Sequence, residues 1–336
     1  MSEFEDNKQI AILYAYRYLL GREPEDPSAI VNNSLDWKDL RTIFMDSPEY
    51  KSLMPSSDWV PSGHFYSPIP DKECVKDFWE THPDGYPITD LDGIDLNLES
   101  QYILCDDFEK VTGMDDFWPM ERNAYRRYFV NNEFFSIIDA IVYFHMIRCH
   151  QPKRIIEIGS GFSSAVALDA NEAICDNQIN FTFIEPYPER LHSLLSEDDK
   201  SGKKVRVIES NLQDVDLSMF KELSRGDILF VDSTHVAKFE SDVNYIIFKI
   251  LPCLKSGVLI HFHDVLYPFD YLKEWLIEGR AWNEAYMLHA FLQYNDSFCI
   301  KFWLPALLRI SKEKVNFLGK YNYLKDLTGS LWLEKK

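Results

Sequence analysis

The chain has 336 residues, 46% of them hydrophobic, enough for one large core plus a small extra domain. A formal net charge of −19 argues against nucleic acid or an anionic membrane as the partner. No apolar run approaches the roughly 20 residues of a membrane span, the start M-S-E-F-E-D-N-K has no signal-peptide pattern, and the six cysteines form no C-x-x-C pair, so reduced thiols and a cytoplasmic location are expected.

In chain order, residues 7–20 carry apolar positions at helical spacing and stop at Gly21. The proline-broken turn R-E-P-E-D-P-S follows, then a second helix, L-D-W-K-D-L-R-T-I-F-M, ending at D-S-P-E-Y. A helical hairpin with Tyr14, Tyr16, Tyr18 and Trp37 in its core accounts for this pattern. Residues 56–95 are rich in proline, glycine and aromatics, which excludes one continuous helix and a central strand. Such a stretch is either a linker or a lid, with His64 and Tyr66 as its candidate contacts. Residues 115–150 read as helical, with E-F-F-S-I-I-D-A-I-V-Y-F-H-M-I-R as one helix.

From Arg154 onward strands and helices alternate, the pattern of an α/β parallel sheet. The expected strands are 154–158, 181–185, 204–208, 227–231 and 257–263, with two later β-like runs, S-F-C-I-K-F-W and S-L-W-L-E. Between strands, P-E-R-L-H-S-L-L and S-D-V-N-Y-I-I-F-K-I-L-P-C-L read as helices, and residues 271–292 as one or two more. The organising stretch is R-I-I-E-I-G-S-G-F-S-S-A: a buried strand, a turn at Gly159 and Gly161, and a helix that Ser163 and Ser164 are placed to cap. Glu157 lies inside this first strand. Glu185 ends the second, Asp214 follows the third and Asp232 ends the fourth. Open α/β sheets bind ligands at the carboxyl ends of their strands, so these carboxylates should converge on one crevice suited to a cation rather than a diphosphate. The third glycine of a dinucleotide fingerprint is missing, its place taken by Ser164.

With its acid-lined strand ends, this stretch resembles motif I of the class I S-adenosylmethionine-dependent methyltransferases. I-E-P-Y-P-E-R-L, L-Q-D-V-D-L, D-I-L-F-V-D-S-T-H-V and L-K-S-G-V-L-I-H-F-H-D resemble the family's later motifs in order and spacing. The resemblance implies a Rossmann-like, mostly parallel sheet whose last strands are antiparallel. It also implies a cofactor site in which Glu157, Gly159, Ser160, Gly161 and Ser163 hold the methionine moiety, Glu185 takes the ribose hydroxyls, Gln213 and Asp214 address the adenine, and Asp232 closes the set. Where many family members carry a third glycine, this chain has Ser163, whose hydroxyl or N–H is the candidate contact for the methionine carboxylate. A single arginine among Tyr125, Arg126 and Arg127, beside Asn131 and Asn132, is another candidate, with surface salt bridging as its alternative role.

Methyl transfer to oxygen needs position and the removal of one proton. Asp232 and His235 leave the fourth strand, and His263 and Asp264 leave the fifth, so all four are catalytic or metal candidates. His235 or His263 can serve as a general base. Alternatively Asp232, His263 and Asp264 hold a divalent cation such as magnesium that acidifies the acceptor hydroxyl. His261 reads as a core histidine. Trp282, Asn283, Glu284 and Tyr286 lie where the family places substrate contacts, with helix packing as the other reading.

At the other end of the chain, Y-R-Y-L-L-G-R-E-P and S-P-E-Y resemble a small helical domain similar to phycobilisome linker domains, often fused to bacterial glycan-modifying enzymes. G-H-F-Y-S-P-I-P resembles the leader of one group of bacterial methyltransferase-like domains. The expected organisation is a helical docking domain over 1–56, a connecting or lid segment over 57–114 and the methyltransferase domain over 115–336. The expected activity is O-methylation of a sugar or glycan-related acceptor, with no nucleic-acid partner, docking to other glycan-biosynthesis enzymes, and a homo-oligomer as a further expectation. The alternative is a catalytically silent methyltransferase-like scaffold in a glycan-biosynthesis complex.

Overall fold

The computed structural model describes residues 59–336 apart from 84, 89–90, 112–113 and 325–327, and before them 12–17, 19–20, 22–24, 43–45, 47 and 49–50. Two compact units divide the chain, Met1–Asp71 and Lys72–Lys336. In the first, residues 12–17 and 43–45 are helical, and Ile12, Leu20, Phe44 and Tyr50 bury a small apolar cluster. Tyr16 meets Phe44 edge-on at 5.0 Å between centroids, and Arg22 forks onto the Glu49 carboxylate. Tyr14 is exposed, while Tyr18 and Trp37 lie outside the described residues. Farther along this unit Trp59 stacks on Tyr66 and His64 on Phe65, all within their own loop.

The second unit is built on a seven-stranded sheet: β1 (Arg154–Ile158), β2 (Asn180–Ile184), β3 (Val205–Ile208), β4 (Ile228–Val231), β5 (Leu259–Phe262), β6 (Phe298–Trp303) and β7 (Leu331–Lys335), in the order β3-β2-β1-β4-β5-β7-β6. The first five run parallel, and β7 lies antiparallel to both β5 and β6. Central strands such as I-L-F-V are apolar at every position because helices cover both faces of a parallel sheet. Strand residues alternate between two cores. Ile155, Phe181, Phe183, Phe230 and Leu259 pack with helices Ile137–His150 and Phe162–Ile174; Ile156, Ile184, Leu229, Val231 and Ile260 pack with helices 242–253 and Glu284–Leu292. Among the described residues no helix is long and apolar enough to cross a membrane.

Three local departures from the sequence expectation have plain causes. The helix before β1 begins at Ile137 rather than Glu133, because Ser136 caps it, accepting the Asp139 N–H at 3.2 Å and donating to the Asp139 carboxylate at 2.8 Å. The stretch 56–95 contains a ten-residue helix, Lys72–Thr81, in its longest proline-free run. Residues 271–292 form two helices, Lys273–Glu278 and Glu284–Leu292, because Gly279 closes the first in the left-handed conformation at φ 83°.

Two buried charge arrangements fix the walls around the strand ends. Arg127 is wrapped by Asp169 (3.1 Å), Asp199 (2.7 Å) and Glu172, joining the loop before helix Ile137–His150 to the helix after β1. Arg127, a candidate contact by sequence, therefore serves a structural role: its guanidinium is committed to these carboxylates. Glu157, in the middle of β1, is fully buried, and its Oε1 accepts both the Ser163 (2.6 Å) and Ser164 (2.8 Å) hydroxyls. Burial pushes its carboxyl up to about 8, against the lowering by the two serines.

Arg127→Ala should cost about 3–5 kcal/mol by leaving buried carboxylates uncompensated, measured by urea unfolding; a loss below about 1 kcal/mol, the range of an exposed pair, would contradict that role. For Glu157, folding raises the pKa above the ordinary 4.5, so its contribution is complete below that value and is lost as pH climbs toward about 8. Glu157→Gln should therefore gain thermal stability relative to wild type between pH 5 and 8. Melting curves whose separation does not widen with pH would rule this out.

Candidate active site

The turn after β1 is forced into contact with the end of β4. Gly159 sits at φ 77°, and a Cβ there would collide with the Asp232 carbonyl oxygen. Its N–H donates to the Ile184 carbonyl at 3.0 Å, which ties the turn to β2 as well. The next residue, Ser160, donates its N–H to Glu185 Oε2 at 3.1 Å, and Tyr187 donates its N–H to Oε1 at 2.9 Å. Two backbone donors thus aim the Glu185 carboxylate. Helix Phe162–Ile174 starts with Gly161 as N-cap, two or three residues earlier than a cap at Ser163 or Ser164 would place it. Ser163 and Ser164 lie at its second and third positions, where their hydroxyls bind Glu157, and Ser164 Oγ also accepts the Gly161 N–H at 3.0 Å.

Beside this turn lies a cavity of about 350 Å³ lined by Gly159, Glu185, Tyr187, Asn211, Gln213 and Asp232, with Ser233, Lys238 and Asp242 also in its wall. Gln213 donates its side-chain amide to the Glu240 carbonyl. Asp214 is not brought to the cavity: it stands exposed at the end of the tight turn Leu212–Asp214, and Asn211 and Gln213 face the space instead. Glu157 Oε2, Ser160 Oγ and Ser233 Oγ are buried around the strand ends with no hydrogen-bond partner. Orphaned acceptors and hydroxyls beside ready carboxylates fit a ligand that brings its own donors and positive charge.

Next to it Asp232, His235 and Asp264 gather, their potential ligand atoms all within 4.8 Å of one another. His235 Nε2 is 3.5 Å from Asp232 Oδ1 and 3.7 Å from Asp264 Oδ2. The expected trio of Asp232, His263 and Asp264 is thus rearranged, with His235 taking the place of His263. The backbone explains why: His235 (φ 60°) and Asp264 (φ 57°) both adopt the left-handed conformation, costly for residues other than glycine and concentrated at functional sites. His263 stands beside this trio, its Nε2 3.8 Å from Asp264 Oδ1, its ring 4.9 Å from Phe135 and its Nδ1 3.4 Å from His261 Nε2. His261 is a core histidine, stacked on Phe230 at 4.0 Å, with its imidazolium disfavoured first by burial and then by His263.

His235 is held by a carboxylate that lies 49 residues away. Its Nδ1 is 2.9 Å from Glu284 Oε2, and both side chains are nearly fully buried. The Asn283 and Glu284 N–H groups donate to the His235 carbonyl at 3.0 and 3.2 Å, Asn283 also clamps Ala237 through its amide, and Trp282 packs 4.3 Å from the imidazole. The segment W-N-E therefore positions the His235 loop, a role its sequence does not announce. Burial alone would lower His235, but hydrogen bonds to Asp232 and Glu284 and the charges of Glu284 and Asp264 outweigh it and hold the imidazolium well above its usual range. Burial raises Asp264, and it would raise Asp232 too if the imidazoles of His263 and His235 did not hold that carboxyl low.

Beyond the cluster a second cavity of about 400 Å³ is lined by His263, Asp264, Asn131, Glu133, Phe134, Phe135 and Trp275. The cluster therefore stands between two cavities, with Asp232 on one and Asp264 on the other. Of the arginines flagged beside it, Arg126 lies over the Phe117 ring and Arg127 is tied into its carboxylate knot.

A family model described as a methyltransferase domain matches residues 156–265. An uncharacterized protein of Archaeoglobus fulgidus is 36% identical over 169 residues, which is 50% of this chain and 75% of that protein. Among solved structures, the SAH-bound Podospora anserina methyltransferase PaMTH1 is similar at 14% identity and a TM-score of 0.38, over 80% of this chain and 98% of that one. The SAM-bound O-methyltransferase TomG of Streptomyces achromogenes gives 13% identity and a TM-score of 0.38, over 79% of this chain and 98% of its own. The chain therefore carries a methyltransferase domain, and the matched residues run from within β1 to just past β5 of the sheet.

Proposed function

We propose that this enzyme methylates a hydroxyl oxygen of a sugar or glycan-related acceptor, with a divalent cation at Asp232, His235 and Asp264 activating that hydroxyl. The observation that carries the reading is the position of this cluster, between a carboxylate-edged cavity on the β1–β4 side and a second cavity on the β5 side. When bound, S-adenosylmethionine supplies a methyl group on a positively charged sulfur.

Glu185, aimed by two backbone N–H groups, presents its remaining lone pairs for the ribose hydroxyls. Gln213, with Asn211, borders the adenine end, and Asp214 keeps at most an indirect part there. Gly159, Ser160 and Gly161 form the turn under the methionine moiety, with Glu157 and Ser163 directly beneath it, and Asp232 borders the reacting centre. On the other side Asn131, Glu133 and Asp264 offer polar groups beside Phe134, Phe135 and Trp275, a mixture suited to the hydroxyls and apolar faces of a sugar ring.

The carboxylates around His235 favour its protonated form, which is no base. Asp232, His235 and Asp264 would hold a divalent cation through carboxylate and imidazole donors, with His235 binding in its neutral form. Glu284 on Nδ1 leaves Nε2 turned to the other two ligands, an arrangement common to metal-bound histidines. The cation supplies a lowered hydroxyl pKa. A metal-free base, His235 or His263, is the reading that chelator-resistant turnover would favour. Residues 1–56 are assigned the docking role beside other glycan-biosynthesis enzymes, in keeping with their linker-like sequence.

The test is to incubate the chain with labelled S-adenosylmethionine and a panel of nucleotide sugars and glycan extracts, with and without chelator. Label in a glycan fraction that disappears with chelator supports the reading; tight cofactor binding with no label in any fraction points to a silent scaffold. Glu185→Ala should reduce cofactor affinity by about 100-fold or more in calorimetry, through the loss of two hydrogen bonds to a charged group; unchanged affinity would refute the cofactor placement. His235→Ala and Asp264→Asn should spare cofactor affinity while lowering turnover by about 10²- to 10⁴-fold. Turnover lost to chelator should return with Mg²⁺ or Mn²⁺, and an enzyme indifferent to chelator would remove the cation from this scheme.

A further inference from the structure

The carboxyl ends of the strands are lined by acids, and this leaves the one anionic group of the cofactor in need of a counter-charge. Glu157, Glu185, Asp232, Asp264 and Glu284 all lie at or beside the crevice. Such a wall suits a sulfonium and an ammonium, but the methionine end of the cofactor also carries a carboxylate. That group needs a donor that is not already used. The Ser163 hydroxyl is taken by Glu157, and the Gly161 N–H by Ser164. Arg127 is enclosed by three carboxylates, Arg126 lies over Phe117, and Arg122 donates to the Ser193 carbonyl. Lys238 lines the same cavity wall as Gln213 and Glu240.

Arg190, from the helix after β2, is placed differently. Its stem passes directly above the glycine turn: a Cβ on Gly161 would lie 3.3 Å from Arg190 Cδ. Its guanidinium carbon sits 3.5 Å over the Phe134 ring, which in turn stacks on Phe162, the first residue of the following helix, at 10° between planes. Among the described residues its guanidinium has no carboxylate within salt-bridge distance. The side chain is exposed, yet it is steadied by the ring beneath it, and its N–H edges remain open for a planar anion. Phe134 also borders the second cavity, and the Arg190 charge helps to hold the Asp232 carboxyl low.

We propose that Arg190 receives the methionine carboxylate of the cofactor, making the site selective for a donor with an intact amino-acid tail. The proposal rests on the cofactor placement above and extends it to the one functional group that the acidic wall cannot serve. Gly161 acquires a second purpose on this account, since any side chain there would press on the arginine stem. A bidentate guanidinium–carboxylate pair forms two parallel N–H···O bonds, a geometry an ammonium cannot reproduce.

Calorimetry on the full chain with three probes tests it: S-adenosylmethionine, its decarboxylated analogue, which keeps the ammonium and sulfonium, and 5′-methylthioadenosine, which lacks the tail. Arg190→Gln should weaken S-adenosylmethionine by about 10- to 100-fold, the range of a charged hydrogen-bonded pair, and leave the other two probes unchanged. Arg190→Lys should recover part of the loss, and Phe134→Leu, which removes the ring under the guanidinium, should fall between. Equal loss for all three probes would assign Arg190 a structural role and overturn the proposal, as would no loss for any. Wild-type protein that binds none of the three would instead sink the cofactor placement, and this proposal with it.

Discussion

The site depends on one backbone contact, the approach of Gly159 to the carbonyl of Asp232. It joins the turn after the first strand to the end of the fourth with no room for a side chain. Because Gly159 also donates to the end of β2, three strand ends are fixed together through a single residue. Glu185, Asp232 and the glycine turn are held in one frame by this junction, and the orientation of each carboxylate follows from it. The left-handed conformations of His235 and Asp264 then bring the loops after β4 and β5 toward the same point. Strain at two residues is tolerated because the clamp from Asn283 and Glu284 over-determines the His235 loop.

Concentrating carboxylates in this way has an electrostatic cost that the structure meets in two ways. Glu157 is kept neutral at moderate pH by burial, with two serine hydroxyls supplied to one oxygen. Glu284 and Asp264 instead share the positive charge of His235. Both arrangements leave a net negative surface toward the cavities, and that favours cationic guests over anionic ones.

Much of the sheet could be read from the residues because parallel strands covered on both faces are continuous apolar runs. R-I-I-E-I and I-L-F-V permit few alternatives. The acids at the strand ends were legible for the same reason, since the end of each run marks the crevice. What could not be read was tertiary. Glu284 and His235 are 49 residues apart, and no local pattern pairs them. The exchange of His263 for His235 in the cluster depends on left-handed backbone at residues that ordinarily avoid it, and Asp214 fails to reach the cavity because its turn points Gln213 there instead. Ser136, a standard helix cap, was visible in the sequence but was overridden by the apolar density around it, so the helix was extended too far toward the N-terminus.

The knot at Arg127 separates two jobs that one loop would otherwise have to share. It anchors the base of the segment 117–136 to the helix behind the glycine turn, while Asn131, Glu133 and Phe134 at the tip line the second cavity. Substitutions at the tip can reshape that cavity without disturbing the anchor or the cofactor side. Selection for a new guest can therefore act on a few exposed positions, and the loop is the part of this enzyme from which new specificity would most readily evolve.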